Sequence, residues 1–316
     1  MARNNAFISS KRGILVGFPK AVDYHKQKKP KVPTGLGVFY VLLSSVYLFT
    51  LSTYFYRYDL ILSTRALTLS GCILFGGFMG LFDDWADLKW RYKAVIPVLA
   101  SLPLIALREG TPTMSTFIFN DFFRWLGFKV VGGEVNFGKL YFILIIPLII
   151  TVTTNTVNQL GGLNGLETIC PLIVMVGLAV VSFRYGLTIL LYVPIIACLI
   201  LAVFNYSGKI FVGNTGTFAL GITLASFAIL ANVELTLLIA ILPYIFNSLI
   251  ILLNRFLFHK KAEITVQGDK LVSRNIRSLQ TLVARNGPLS ERRIVQIIAL
   301  IFLVFTALAI LVWKTW

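Results

Sequence analysis

Histidine and cysteine are nearly absent from this chain of 316 residues, which has only His25, His259, Cys72, Cys170 and Cys198. Two histidines so far apart argue against a multi-histidine metal site. The cysteines all lie inside apolar runs without CxxC spacing, so neither a disulfide framework nor a zinc knuckle is indicated. Charge is also scarce, at 13% of residues, against roughly 25% in soluble domains. No GxxxxGK[ST] loop occurs, which disfavours an NTP-driven pump, and no serine or cysteine hydrolase signature is visible. The first 34 residues hold neither a run long enough to cross a bilayer nor a signal-peptide core.

What the chain does have is apolar length. Hydrophobic residues make up 57% of it and its mean hydropathy is +0.82, the composition of an all-α, polytopic integral membrane helical bundle. Apolar runs at 35–56, 64–82, 94–107, 140–154, 169–183, 186–204, 217–231, 235–258 and 294–313 predict about nine spans, the shorter ones tilted or half buried in protein. Residues 1–34 read as a basic N-terminal arm, with Pro30 and Pro33 excluding regular helix, and residues 35–316 as a single membrane-embedded domain. The net charge of +16 reflects topology rather than nucleic-acid binding. Laid out alternately, the loops on the side of the arm gather most of the Lys and Arg, which makes that side cytoplasmic. On the far side, FIFNDFFRWLGF predicts an amphipathic piece along the interface, and VVGGEVNFG a hairpin turning at Gly132 and Gly133.

The cytoplasmic loops carry the chemistry. In FMGLFDDWADLKWRYK, Asp83, Asp84 and Asp87 sit with Lys89, Arg91 and Lys93 at the mouth of an apolar run, where ionised groups need water, each other or a ligand. NTVNQLGGLNGLE spreads Asn155, Asn158, Asn164 and Glu167 among Gly161, Gly162 and Gly165. Helix capping accounts for one or two of these asparagines; amide oxygens also ligate hard cations or read a nucleobase edge. In SGKIFVGNTGTFALG, glycines and threonines precede a span, so N–H groups at its N-terminus could favour an anion. The last loop, 259–293, is basic; its SLQTLV segment predicts a stretch lying near the lipid surface, and His259 and Lys260 emerge directly from a span. Carboxylates, amides, glycine turns and bases on one face suit phosphoryl transfer at a membrane surface.

FMGLFDDWADLKWRYKAVIPVLASLPL, NTVNQLGGLNGLE and IFVGNTGTFALG together resemble the signature loops of the polyprenyl-phosphate N-acetylhexosamine-1-phosphate transferases, and KPKVPTGLG resembles the family's first cytoplasmic loop. DDxxDLxWRxK and GLNGLE are most similar to the branch with the eukaryotic UDP-GlcNAc:dolichyl-phosphate GlcNAc-1-phosphotransferase and its archaeal relatives. The resemblance implies transfer of GlcNAc 1-phosphate, or a related sugar 1-phosphate, from a UDP-sugar to polyprenyl or dolichyl phosphate. UMP is released, and Mg²⁺ is required, with Mn²⁺ as an alternative. It implies Asp83, Asp84 and Lys93 as catalytic residues, the aspartates at the lipid phosphate and Lys93 at the diphosphate. Asp87, Asn164, Glu167, Phe211, His259 and Lys260 become substrate-binding, with Asn164 and Phe211 at the uridine, and Asn158 and Asn214 hold the metal. The implied setting is the bilayer, with the site facing the cytoplasm, in a cell membrane if archaeal or the endoplasmic reticulum if eukaryotic. A homodimer is left open.

Two departures stand out. Where the family has GDT or GDS, this chain has Gly213-Asn214-Thr215, which removes a carboxylate beside the ion and predicts a higher Mg²⁺ requirement. The family also has ten spans with an outer N-terminus, so a first helix is expected either upstream of Met1 or lost in this member. The rival readings are a non-catalytic paralogue, suggested by Asn214, and a transporter or flippase for a phosphorylated lipid. Transporters tend to show internal repeats and mid-membrane ionisable residues, and neither is evident here.

Overall fold

A helix that is apolar on every side is covered either by lipid or by protein, and Gly213–Ala231 is covered by protein. In the computed structural model, which describes residues 17–115, 120–258, 264–285 and 287–314, every residue from Thr215 to Ala231 is buried.

The chain opens with an antiparallel hairpin of β1 (Lys20–Val22) and β2 (Lys31–Pro33). Helices α1 (Gly37–Phe55) and α2 (Leu60–Ala86) follow, then the short helices α3 (Trp90–Val95) and α4 (Leu102–Ala106) joined by a 3-10 segment, Ile96–Ser101. The far-side loop holds β3 (Thr113–Ser115), α5 (Asn120–Trp125), β4 (Lys129–Val131) and β5 (Glu134–Asn136). A π-helical turn at Tyr141–Ile145 leads into α6 (Ile146–Gln159), followed by α7 (Leu166–Ser182), α8 (Tyr192–Tyr206) and α9 (Gly213–Ala231). The rest comprises α10 (Glu234–Ala240), α11 (Leu242–Leu253), β6 (Ile264–Gln267), β7 (Lys270–Ser273), α12 (Leu279–Ala284), β8 (Leu289–Ser290) and α13 (Glu291–Lys314).

Among the described residues, seven helical stretches are long and apolar enough to cross a membrane, and the pair Glu234–Ala240 and Leu242–Leu257, with 57° between its halves, is either a broken eighth span or a re-entrant loop. This is an integral membrane protein of helical-bundle class. The run at 94–107 is not among these stretches, being divided between α3, the 3-10 segment and α4. Pro97 and Pro103 lie in the first turns of the last two pieces, where each withholds an N–H from the preceding turn. The three cysteines are free and buried.

α9 packs against α1, α2, α6 and α7, and the contact is close because small residues line it. A Cβ at Gly80 would collide with the Asn214 carbonyl, and one at Gly37 with the backbone of Gly216. Deeper in, Tyr40 Oη donates to Thr223 Oγ1 at 2.8 Å, so the α1–α9 contact also satisfies its buried hydroxyls.

On the far side, β5 pairs with both β3 and β4, and the β4–β5 hairpin turns at Gly132 and Gly133 as the sequence predicts. In the 259–293 loop, β6, β7 and β8 form a sheet in that order with α12 packed on it, and SLQTLV buries Leu279 and Thr281. Ser278 and Thr281 form a reciprocal capping box that starts α12, a local helix-start signal.

Candidate active site

The C-terminal end of α2 delivers two adjacent carboxylates to different tasks. The helix stops at Asp87, whose left-handed backbone (φ 44°) lets its N–H reach the Asp83 carbonyl. That reversal sends α3 back past the helix end, and Lys93 Nζ comes to 3.0 Å from Asp83 Oδ1. The same oxygen accepts the Leu88 N–H at 3.1 Å. Asp83 is 2% exposed, and its other oxygen, Oδ2, is buried without a hydrogen bond. Lys93 also lies 3.8 Å from Asp87, which is fully exposed, so that contact is solvent-screened and weak.

Asp84 turns to the opposite side and caps α9. Its Oδ1 accepts the Asn214 N–H at 2.7 Å, while Oδ2 accepts the Thr215 N–H at 2.9 Å and the Thr215 hydroxyl at 2.7 Å. Free N–H groups and partial positive charge at a helix N-terminus favour such a carboxylate. The anion cradle expected at this N-terminus is therefore filled by the protein itself. Gly213 adopts φ 71° there, and a Cβ on it would stand 2.7 Å from Asp84 Oδ2. One turn on, Thr217 Oγ1 donates to Asn158 Oδ1 at 2.7 Å, tying the end of α6 to α9.

A cleft of about 370 Å³ opens here, lined by Asp84, Asn158, Glu167, Phe211 and Asn214. Five of the expected site residues thus line one cleft. Glu167 enters from the first turn of α7; its Oε1 accepts the Gly162 N–H at 3.3 Å, and Oε2 is buried without a hydrogen bond. Asp83, Lys93 and Asp87 gather at the adjoining end of α2. Asn164 is not among the lining residues; its side chain turns to Asp23 and Glu291. His259 and Lys260 lie outside the described residues.

Sequence reasoning did not select Asp23, His25 and Glu291. Asp23 and His25 line the cleft, so the arm is part of the site as well as a topology signal. Their ligand atoms and that of Glu291 lie within 4.8 Å of one another. The available signal was that Asp23 is the only acid in residues 1–34. Glu291, in the first turn of α13, looks in sequence like an ordinary helix-start acid.

Buried carboxylate oxygens without partners are costly unless a proton or cation meets them. Glu167 Oε2 is such an atom on the cleft, and the amide groups of Asn158 and Asn214 supply hard oxygen donors there. This donor set fits a divalent cation.

The profile of glycosyl transferase family 4 matches residues 66–232, the stretch from within α2 to just past α9. A Sulfolobus acidocaldarius protein provisionally named UDP-N-acetylglucosamine:dolichyl-phosphate N-acetylglucosaminephosphotransferase is 31% identical, over 91% of this chain and 86% of its own. The Dictyostelium discoideum enzyme of that name is 28% identical over 86% and 76%. A phospho-N-acetylmuramoyl-pentapeptide-transferase from Clostridium perfringens is 25% identical over 74% and 71%.

Proposed function

The chain belongs to glycosyl transferase family 4, and on that premise we propose that it transfers N-acetylglucosamine 1-phosphate from UDP-GlcNAc to dolichyl or a related polyprenyl phosphate, releasing UMP. The observation that carries the residue assignment is the division of labour between neighbours. Asp84 has both oxygens engaged at α9, whereas Asp83 keeps Oδ2 free.

An oxygen of the lipid phosphate attacks the sugar-linked phosphorus of UDP-GlcNAc. The new P–O bond forms as the bond to UMP breaks, and the electron pair leaves with UMP. Asp83 Oδ2 takes up the proton of a lipid phosphate that arrives as the monoanion, and Lys93 holds Asp83 in place through Oδ1. The Lys93 ammonium also offsets the diphosphate charge, which concentrates on the leaving UMP. Asp84 fixes the N-terminus of α9, and with it the Asn214 and Phe211 side of the cleft. Asp87 adds a solvated carboxylate beside Lys93, and Phe211 offers a ring for base stacking.

Glu167, Asn158 and Asn214 would hold the divalent ion, Mg²⁺ with Mn²⁺ as a substitute. When bound, such an ion neutralises diphosphate charge without proton transfer. Positive charge concentrated in the loops on the arm's side supports a cytoplasmic site, in the cell membrane of an archaeon or the endoplasmic reticulum of a eukaryote.

Incubating the purified chain with radiolabelled UDP-GlcNAc, dolichyl phosphate and Mg²⁺ tests this reading. Equimolar UMP and a labelled lipid are expected. Lipid phosphate binding without either product overturns it in favour of a non-catalytic binder.

A further inference from the structure

Asn164 occupies a loop with little regular structure to hold it. Its neighbours Gly162 and Gly165 have φ of 117° and 109°, so local backbone preference does not fix the segment. Side chains from distant parts of the chain do: Gln280 holds Leu160 and Gly161, Asn205 holds Gly165, and two carboxylates hold Asn164 itself. Glu291 Oε1 accepts the Asn164 backbone N–H and a side-chain N–H, both at 2.8 Å, and Asp23 Oδ2 accepts from the same Nδ2 at 2.9 Å.

Both amide hydrogens are thereby committed, and the sense of the amide is set, because a flipped group would place its oxygen against two carboxylates. Asn164 is 4% exposed, and its Oδ1 is buried without a hydrogen bond. An orphan acceptor held in one orientation is a group prepared for a donor that the protein does not supply. The same loop carries Glu167 into the cleft, so holding Asn164 also sets one cleft wall.

Asp23, His25 and Glu291 could instead be read as a metal triad, but both Asp23 oxygens and Glu291 Oε1 are already occupied. Asp23 Oδ1 accepts the His25 N–H at 3.1 Å, and Oδ2 also faces the Lys26 ammonium at 3.2 Å. A cation there would have to displace both Lys26 and the Asn164 amide.

We propose that Glu291 and Asp23 are positioning residues for the UDP-sugar half of the reaction, acting by clamping the Asn164 amide with its oxygen presented to the nucleotide. This rests on the activity proposed above. UDP binding measured by calorimetry separates the two, since it needs no turnover.

In the full-length protein, Glu291→Ala should raise KM for UDP-GlcNAc about tenfold and weaken UDP binding to match, with kcat and the KM for lipid phosphate moving less than twofold. Glu291→Gln, which keeps an acceptor oxygen, should lose under threefold. Asp23→Ala, with Glu291 intact, should repeat the UDP-specific pattern more mildly, and supplies the test where the Glu291 variant does not fold. In an Asn164→Ala background, Glu291→Ala should add less than twofold, because the two act through one group. A full tenfold addition in that background overturns the proposal, as does an equal shift in kcat and both KM values. UDP binding that weakens as described in a protein making no lipid product upholds the clamp and removes the transferase reading. Normal turnover with unchanged UDP binding in Glu291→Ala does the reverse.

Discussion

Asp84 Oδ2 accepts both the N–H and the hydroxyl of Thr215, at 2.9 and 2.7 Å, across 131 residues of sequence. An acid at the head of a charged cluster is thus also the cap of the most deeply buried helix. Asparagine keeps one of the two acceptor oxygens, so it should retain part of the cap that alanine loses. Asp84→Ala should lower stability by about 1 kcal/mol, with activity falling alongside as the end of α9 loosens. Asp84→Asn should lose less of both. Thermal unfolding followed by tryptophan fluorescence, beside the radiolabel assay, reads both; equal melting losses in the two variants contradict the cap.

The pair of Asp83 and Lys93 should respond asymmetrically. Removing the ammonium strands a carboxylate that is 2% exposed, which costs about 3 kcal/mol or more. Removing the carboxylate leaves a lysine that can extend to water. Lys93→Met should therefore lower the melting temperature clearly more than Asp83→Asn, although both variants lose turnover. A larger loss from Asp83→Asn would reverse the assignment of which partner is trapped.

Asn214→Asp restores a carboxylate beside the proposed ion. At an effective dielectric of ~20, a unit charge pair ~4 Å apart interacts by about 4 kcal/mol before desolvation, enough to move affinity by at least tenfold. The half-maximal Mg²⁺ concentration for activity, and for Mg²⁺-induced thermal stabilisation, should fall by about that factor. Superimposable titrations of wild type and variant would refute a metal role for this position.

Gly80→Ala probes the contact that brings α2 to α9. The added methyl meets the Asn214 carbonyl, a backbone atom that cannot rotate away, so the helices must separate. A loss of about 2 kcal/mol, with activity falling alongside, is expected; a neutral variant would show that the seam has slack.

The class of the fold and one wall of the site were legible in sequence because both rest on local composition. Apolar runs mark spans whatever packs against them, and the clustering of Asp83, Asp84 and Lys93 is visible within one segment. The division between Asp83 and Asp84 was not legible, since it depends on α9 arriving from far along the chain. For the same reason Glu291 looked like a routine helix-start acid and Asp23 like a stray charge in a basic arm; their meaning lies in Asn164, 127 and 141 residues away respectively. The break of the 94–107 run was written in Pro97 and Pro103, but a run's mean hydropathy does not register where its prolines fall.

The convergence of Asp23 and Glu291 on Asn164 sets an order of events during synthesis. At about 5–20 residues per second, the ribosome needs on the order of ten seconds to travel from Asn164 to Glu291, 127 residues later. Through that interval the asparagine amide has Asp23 alone. A nascent chain already threaded into the bilayer thus holds Asn164 by one carboxylate, and the arrival of α13 supplies the second.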